Sequence, residues 1–407
     1  MHIDSGSAAV ADRAAAADVL TLGVEEEFLL LDLGTGENLP VADAVVAALP
    51  ARLRAQSRLE FRRSMVELVS LVCTDLSDLH GQLGGLRRAA AAVAAEAGAR
   101  LVAVGATPVA EPDRSVPDQP RYRAIARRYG AVASDPAVCG CHVHVGVPDR
   151  DLAVRVCHHL RDWLPVVQAL TANSPLYAGR DTGYASWRSV QLDRWPSAGP
   201  TPVFASAADY DDTVAAMITS GVILDPSMVY WYARPSPRYP TVEVRVGDVC
   251  PTAADTVVVA ALVRALVATV LGDIRAGRAA PRTRDCLVAA AHWHAAHEGM
   301  AGTLVDLRHG VPRPAWDLVD ELLLTVAPAL DRHGDLDRTV SGLARLCREG
   351  TGAARQRHVH RGTGDLHAVL ADLAGQTVSD ARPRAAVDDT AAPTPDRMVR
   401  ECDRPRA

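Results

Sequence analysis

Three carboxylates stand side by side in GVEEEFLLLD, residues 23–32, directly ahead of an apolar run. Adjacent like charges repel and strands disfavour Glu, so the placement asks for compensation. Side chains alternate across a strand, which puts Glu25 and Glu27 on one face and Val24, Glu26 and Phe28 on the other. In CHVHVG the same rule sets His142 and His144 against Cys141, Val143 and Val145. In TVEVRVGD it sets Thr241, Glu243 and Arg245 against Val242, Val244 and Val246. A plain solvated face would mix Thr, Ser, Lys and Gln. These faces pair Glu with Glu, His with His and Glu with Arg, the residue types that bind hard cations and phosphates. A divalent cation between Glu25 and Glu27 would remove their repulsion. In RLEFRRSMVELVSL, Glu60 and Glu67 add two more acids to an apolar and basic stretch; a salt bridge to a nearby Arg is the other account of Glu67.

Composition narrows the chemistry. All 43 basic residues are Arg and none is Lys. That excludes a phosphate-loop lysine, a Schiff-base lysine and the strand lysine of a protein kinase. Any triphosphate bound here must be held by metal ions, arginines and backbone amides, and metal ions need carboxylates. The net charge of −6 gives no reason to expect nucleic acid or an anionic membrane as a partner. Eight scattered Cys in a chain of 407 residues read as reduced thiols, and the acidic start lacks a signal pattern, so a cytoplasmic protein is expected. The apolar run at 257–271 is short and broken by Arg264, which predicts a buried helix and no membrane span.

The elements that must position these residues are strands at 21–31, 57–72 (as a paired hairpin), 100–106, 141–147, 227–233 and 240–248. Helices are expected at 77–98, opened by Ser77, and at 150–171, 206–220, 252–275, 283–298, 313–330, 335–349 and 352–374. Strands fill the first 250 residues and helices the rest. This predicts an α+β fold with an antiparallel or mixed sheet backed by helices. No GxGxxG follows a strand. Residues 1–18 and 377–407 read as loose tails around one domain at 19–376, whose part from 252 is mostly helical.

The quoted segments, GVEEEF, MVELVSL, CGCHVHVG, NSPLYAGRDTGYASWR, WYARPS and PTVEVRVGD, resemble in order those of the type 2 glutamate–cysteine ligases. These ATP-dependent carboxylate–amine ligases share the glutamine synthetase catalytic fold. The resemblance runs on through GTGAARQR at 350–357 and covers roughly residues 20–375. It implies a curled antiparallel sheet of about six strands with ATP and Mg²⁺ on its open face. By that similarity Glu25, Glu27, Glu67 and Glu243 are metal ligands, Glu60 is an outer acidic contributor, and His142 meets metal or nucleotide. His144 and Arg355 would contact the nucleotide, Arg245 the transferred phosphate beside Glu243, and Arg188 the substrate carboxylate. The implied reaction joins glutamate to cysteine, or another carboxylate to another amine, through an acyl phosphate. Many relatives read Gly-Thr-His-Pro where this chain has Gly105-Ala106-Thr107-Pro108, so one histidine contact is missing. The oligomeric state stays open, self-association included.

Other readings compete for some of these residues. CGCHVH offers four zinc ligands, but alternation separates its Cys from its His. HWHAAH at 292–297 puts only His294 and His297 on one helical face and reads as a solvated flank. Cys250 reads as a small buried residue, and GTGAARQR as a phosphate loop or as a helix start with a basic flank. A metal-dependent amidohydrolase and a non-catalytic nucleotide or amino-acid binder remain rival functions.

Overall fold

Strand β1, Leu22–Asp32, is the spine of the computed structural model, which describes residues 19–379. The expected tail at 1–18, and that at 377–407 from residue 380 onward, lie outside the described residues. Around β1 the chain adds β2 (Ser57–Leu59), β3 (Met65–Val69), β4 (Ala99–Val102) and β5 (Gly140–Gly146). A small hairpin follows, β6 (Leu176–Tyr177) with β7 (Arg180–Asp181), and then β8 (Ala233–Pro235) and β9 (Thr241–Asp248) complete the main sheet. Its order is β2-β3-β1-β5-β9-β8, with β4 paired to the far end of β1, and every pairing is antiparallel. The sheet therefore has seven strands where about six were expected.

One face of this sheet is apolar. Val24, Val143, Val145, Val242, Val244 and Val246 join one core cluster with the helix Ala253–Arg275. That helix is apolar enough to span a membrane by composition, yet 78% of its most apolar window is buried inside the protein. It packs on helices Leu76–Glu96, Arg150–Leu160, Ala315–Arg332 and Leu336–Glu349 as well as on β5. Thr252 starts it by accepting from the Asp255 amide. It is a core helix.

Glu26 points into the same apolar side and is fully buried. The Arg87 guanidinium meets it through two nitrogens, with Nε–H donating to Oε2 at 2.9 Å, and the Thr256 hydroxyl adds a bond of 2.6 Å to Oε1. Arg87 also donates to the carbonyls of Cys250 and Pro251 at 3.0 Å. This pair ties β1 to two helices that pack behind it.

Several expected elements differ in the structure. The single helix at 150–171 is two, Arg150–Leu160 and Leu164–Thr171, because Pro165 cannot continue a helix but suits the first turn of a new one. The helix at 352–374 breaks at Gly364, which takes a left-handed φ of 64°, and resumes through Val378, beyond the expected boundary at 376. Leu76–Glu96 is capped by Asp75, whose carboxylate accepts from the Ser77 and Asp78 amides, so Ser77 is not its cap. The strand expected at 227–233 opens as a 3₁₀ turn at Pro226–Met228, and apart from a single bridge from Trp231 to Gly199, pairing into the sheet begins at Ala233. Helices Ala42–Ala48, Pro120–Tyr129 and Trp187–Leu192 were not anticipated, nor was the hairpin β10 (Thr303–Asp306) with β11 (Val311–Pro314) inside the helical half.

Candidate active site

Sheet register brings the polar residues of the open face together as direct neighbours. Glu27 stands opposite Glu67 on β3, and Glu25 opposite His142 on β5. His144 stands opposite Glu243 on β9, and Glu243 opposite Arg234 on β8. A register shift in β5–β9 between Cys141 and Val143 leaves His142 without a β9 partner, and Arg245 reaches its Nδ1 at 3.4 Å. The coincidence of acids on one hollow is thus a consequence of antiparallel register.

Two groups of donors result. Ligand atoms of Glu25, His144 and Glu243 lie within 4.8 Å of one another, as do those of Glu27, Glu60 and Glu67. In the first group positive neighbours dominate. Burial alone would raise the Glu25 carboxyl, but hydrogen bonds from His142 and His144 hold it well below the usual range. Burial opposes ionisation of Glu243 too, and Arg245 and Arg234 overcome it; Arg234 Nε–H donates to Oε2 at 3.0 Å. Arg245 is itself held strongly protonated against its burial by Glu243. His142 is pushed down by burial and by the Arg245 charge.

In the second group Arg121 and Arg245 offset burial only in part. Burial and the Glu27 charge push Glu60 up to about 7. Burial, then Glu25 and Glu60, raise Glu67 well above the carboxylate range. Glu67 has no salt bridge among the described residues, although Arg58 is its strand neighbour. Glu27 accepts one bond, from the Gly140 amide at 2.5 Å. His144 shares its Nδ1 with the Thr241 hydroxyl, 2.9 Å away, and turns its buried Nε2 toward Glu25 Oε1 at 3.5 Å. Crowded carboxylates that repel one another, with an imidazole nitrogen at their edge, fit a hard divalent cation.

Two connected cavities open on this face. One, of about 340 Å³, is lined by Glu25, Glu27, Glu60, Glu67 and Glu243 with Arg234 and Tyr239. The other, of about 130 Å³, shares Glu27, Glu60, His142 and Arg245 and runs toward Arg188, Trp195 and Tyr230. Arg188 is 4% exposed. Its guanidinium lies against Gly140, where a Cβ would come within 2.4 Å of Nη2. It donates only long bonds, 3.4 and 3.5 Å, to the carbonyls of Arg245 and Val246, and its Nε has no partner. Among the described residues it meets no carboxylate. A buried cation in that condition asks for an anion.

Arg355 is not part of this site. It projects from the helix Gly352–Thr363 to Asp255, with Nη1 at 3.0 Å from Oδ2, and lines a different cavity beside that helix. GTGAARQR is therefore a helix start with basic side chains already paired. Cys139, Cys141 and Cys250 are buried free thiols and join no group of metal donors among the described residues. His292 is buried, bonded to Gln168, which corrects the reading of HWHAAH as a solvated flank; His297 stacks on exposed Trp293. Several residues of the hollow escaped sequence reading, Arg121, Tyr122 and Arg234 among them. Arg121 and Tyr122 come from the unanticipated helix Pro120–Tyr129. Arg234 sits in WYARPS and carried a legible signal, since it alternates with Tyr232 as Glu243 does with Arg245.

The antiparallel sheet, with acids, histidines and arginines on its open face and helices on the other, has the glutamine synthetase-like fold. Among solved structures, a bifunctional glutathione synthetase from Pasteurella multocida is similar at TM-score 0.65 and 15% identity, over 91% of this chain and 54% of that one. The glutamate–cysteine ligase of Francisella tularensis, solved in complex with AMP, gives 0.61 and 13% over 94% and 97%. Both likenesses are of fold. The model of glutamate–cysteine ligase family 2 matches residues 21–372, and the chain belongs to that family. A relative from Salinispora tropica named "Putative glutamate–cysteine ligase 2" is 66% identical over 88% of this chain and 96% of its own. One from Mycolicibacterium vanbaalenii is 49% identical over 89% and 99%. The protein is an enzyme of the glutamate–cysteine ligase type.

Proposed function

We propose that the protein joins a carboxylate to an amine at the expense of ATP, with glutamate and cysteine as the substrate pair. The observation that carries this reading is the set of under-compensated carboxylates facing an arginine-lined hollow in a chain without lysine. The Francisella tularensis neighbour was solved in complex with AMP, which agrees with a nucleotide as ligand.

Glu25, His144 and Glu243 would hold one Mg²⁺ and Glu27, Glu60 and Glu67 a second, with His142 beside the first. Bound Mg²⁺ would neutralise phosphate oxygens and orient the γ-phosphoryl group. Arg245 presents a permanent positive charge between Glu243 and His142, fixed before any substrate arrives. Arg188 would hold the substrate carboxylate that does not react, as a buried guanidinium in need of an anion. The reacting carboxylate oxygen attacks the γ-phosphorus and the bond to the β–γ bridging oxygen breaks, releasing ADP. The amine nitrogen then attacks the acyl carbon, the bond to the phosphate oxygen breaks, and phosphate leaves with the amine proton. The walls around Tyr122, Trp195 and Tyr230 would exclude water from the acyl phosphate.

The test incubates the purified protein with Mg·ATP, glutamate and a panel of amines, and follows ADP and the mass of the ligated product. The expected result is ADP release that requires both a carboxylate and an amine. Metal-dependent amide hydrolysis without ATP, or ligand-induced stabilisation without turnover, would overturn the reading.

A further inference from the structure

Asp248 ends β9 on the side away from solvent and is 1% exposed. Its carboxylate makes no ion pair among the described residues, and three neutral donors hold it. The Asn173 amide and the Ser174 hydroxyl donate to Oδ2 at 2.9 and 2.7 Å, and the Ser186 hydroxyl donates to Oδ1 at 2.8 Å. Both hydroxyls work twice. Ser174 Oγ accepts from the Arg188 amide at 3.0 Å. Ser186 Oγ caps the helix Trp187–Leu192 by accepting from the Ser189 amide at 3.3 Å. One carboxylate thus fixes the chain at Ser186, Arg188 and Ser189.

The space for this arrangement comes from two glycines. A Cβ at Gly105 would stand 2.6 Å from Asp248 Oδ2, and one at Gly140 would strike the Arg188 guanidinium. The two buried charges do not meet. Asp248 feels the Arg188 charge, yet its oxygens are occupied by hydroxyl and amide donors, so Arg188 keeps its guanidinium for another anion.

We infer that Asp248 is a positioning residue: acting through Ser174 and Ser186, it aims Arg188 at the substrate carboxylate without neutralising it. The inference rests on the role proposed above for Arg188. A residue that only supported the fold would, when changed, lower stability and weaken every ligand alike. A positioning residue changes one ligand.

The experiment compares the full chain with Asp248→Asn, Ser186→Ala and Arg188→Met by calorimetric titration of L-glutamate and of Mg·ATP, together with crystal structures of the first two variants. Asp248→Asn is expected to weaken glutamate about tenfold, the cost of misplacing one charged contact, and to leave Mg·ATP affinity unchanged. Its crystal structure should place the Arg188 guanidinium away from Gly140. Ser186→Ala, which removes a single hydroxyl, should shift both readouts less and in the same direction, and it serves where Asp248→Asn does not fold. Arg188 found in its native seat with glutamate affinity kept in either variant would overturn the inference. If Arg188→Met binds glutamate as the parent does, the carboxylate role of Arg188 falls instead, and the crystal structures alone then decide whether Asp248 aims it.

Discussion

Glu25, Glu26 and Glu27 are consecutive on one strand, yet their environments are opposite. Glu26 faces the apolar side, where Arg87 and Thr256 satisfy both carboxylate oxygens and no water is needed. Glu25 and Glu27 face the hollow, where Glu27 stands against Glu60 and Glu67 with no neutralising cation of its own. The back of the strand is electrostatically closed and the front is open. A fold has reason to close a buried pair, since a lone buried charge is costly, whereas an open cluster persists only where a ligand completes it.

The largest effect expected from this contrast is on the closed side. Arg87→Met strands Glu26 in the core and should destabilise the protein by about 3–5 kcal/mol in urea unfolding. The double variant Glu26→Leu with Arg87→Met should recover most of that loss, since no charge is then left unpaired. Next comes the open side. Glu27→Gln should cut ligase turnover by roughly 100-fold, as loss of a metal-binding group does, and leave folding intact in the same urea assay. A stability loss for Glu27→Gln matching that of Arg87→Met would erase the distinction between the faces.

A smaller effect is expected at the edge of the hollow. Gly140→Ala pushes a methyl group into the Arg188 seat and should raise the KM for the carboxylate substrate about tenfold, with a lesser change in the KM for Mg·ATP. The smallest concerns a buried group that is neutral. Burial and then the Arg161 charge push His292 down to about 3, from an unfolded value near 6.5. The folded state therefore refuses a proton that the unfolded state accepts. Stability is fully present above pH 6.5 and falls as pH drops from there toward 3, by under about 1 kcal/mol at pH 6. His292→Asn should flatten that slope in unfolding curves taken across this range.

Much of this site was legible because strand alternation is a rigid rule. It assigned Glu25, Glu27, His142, His144, Glu243 and Arg245 to one side without knowledge of the pairing. The rest depended on contacts distant in sequence. Nothing local announced that Glu26 would find Arg87, 61 residues away, or that the first turn of a six-residue helix would carry Arg188 to the hollow. Arg355 misled for the same reason. Its basic, glycine-flanked context suits a phosphate, and only the packing of the helix Gly352–Thr363 reveals Asp255 as its partner. Helix breaks at Pro165 and Gly364 were available from the sequence and were outweighed by continuous apolar periodicity.

Titration calorimetry of Mg·ATP into the parent protein and into Glu27→Gln and Glu67→Gln probes the open face most directly. Affinity in the parent should require Mg²⁺, and each variant should lose at least about tenfold in affinity while its melting temperature without Mg²⁺ stays level or rises. Equal affinity in all three proteins, or binding indifferent to Mg²⁺, would contradict the claim that these carboxylates are held apart for a metal-bound nucleotide.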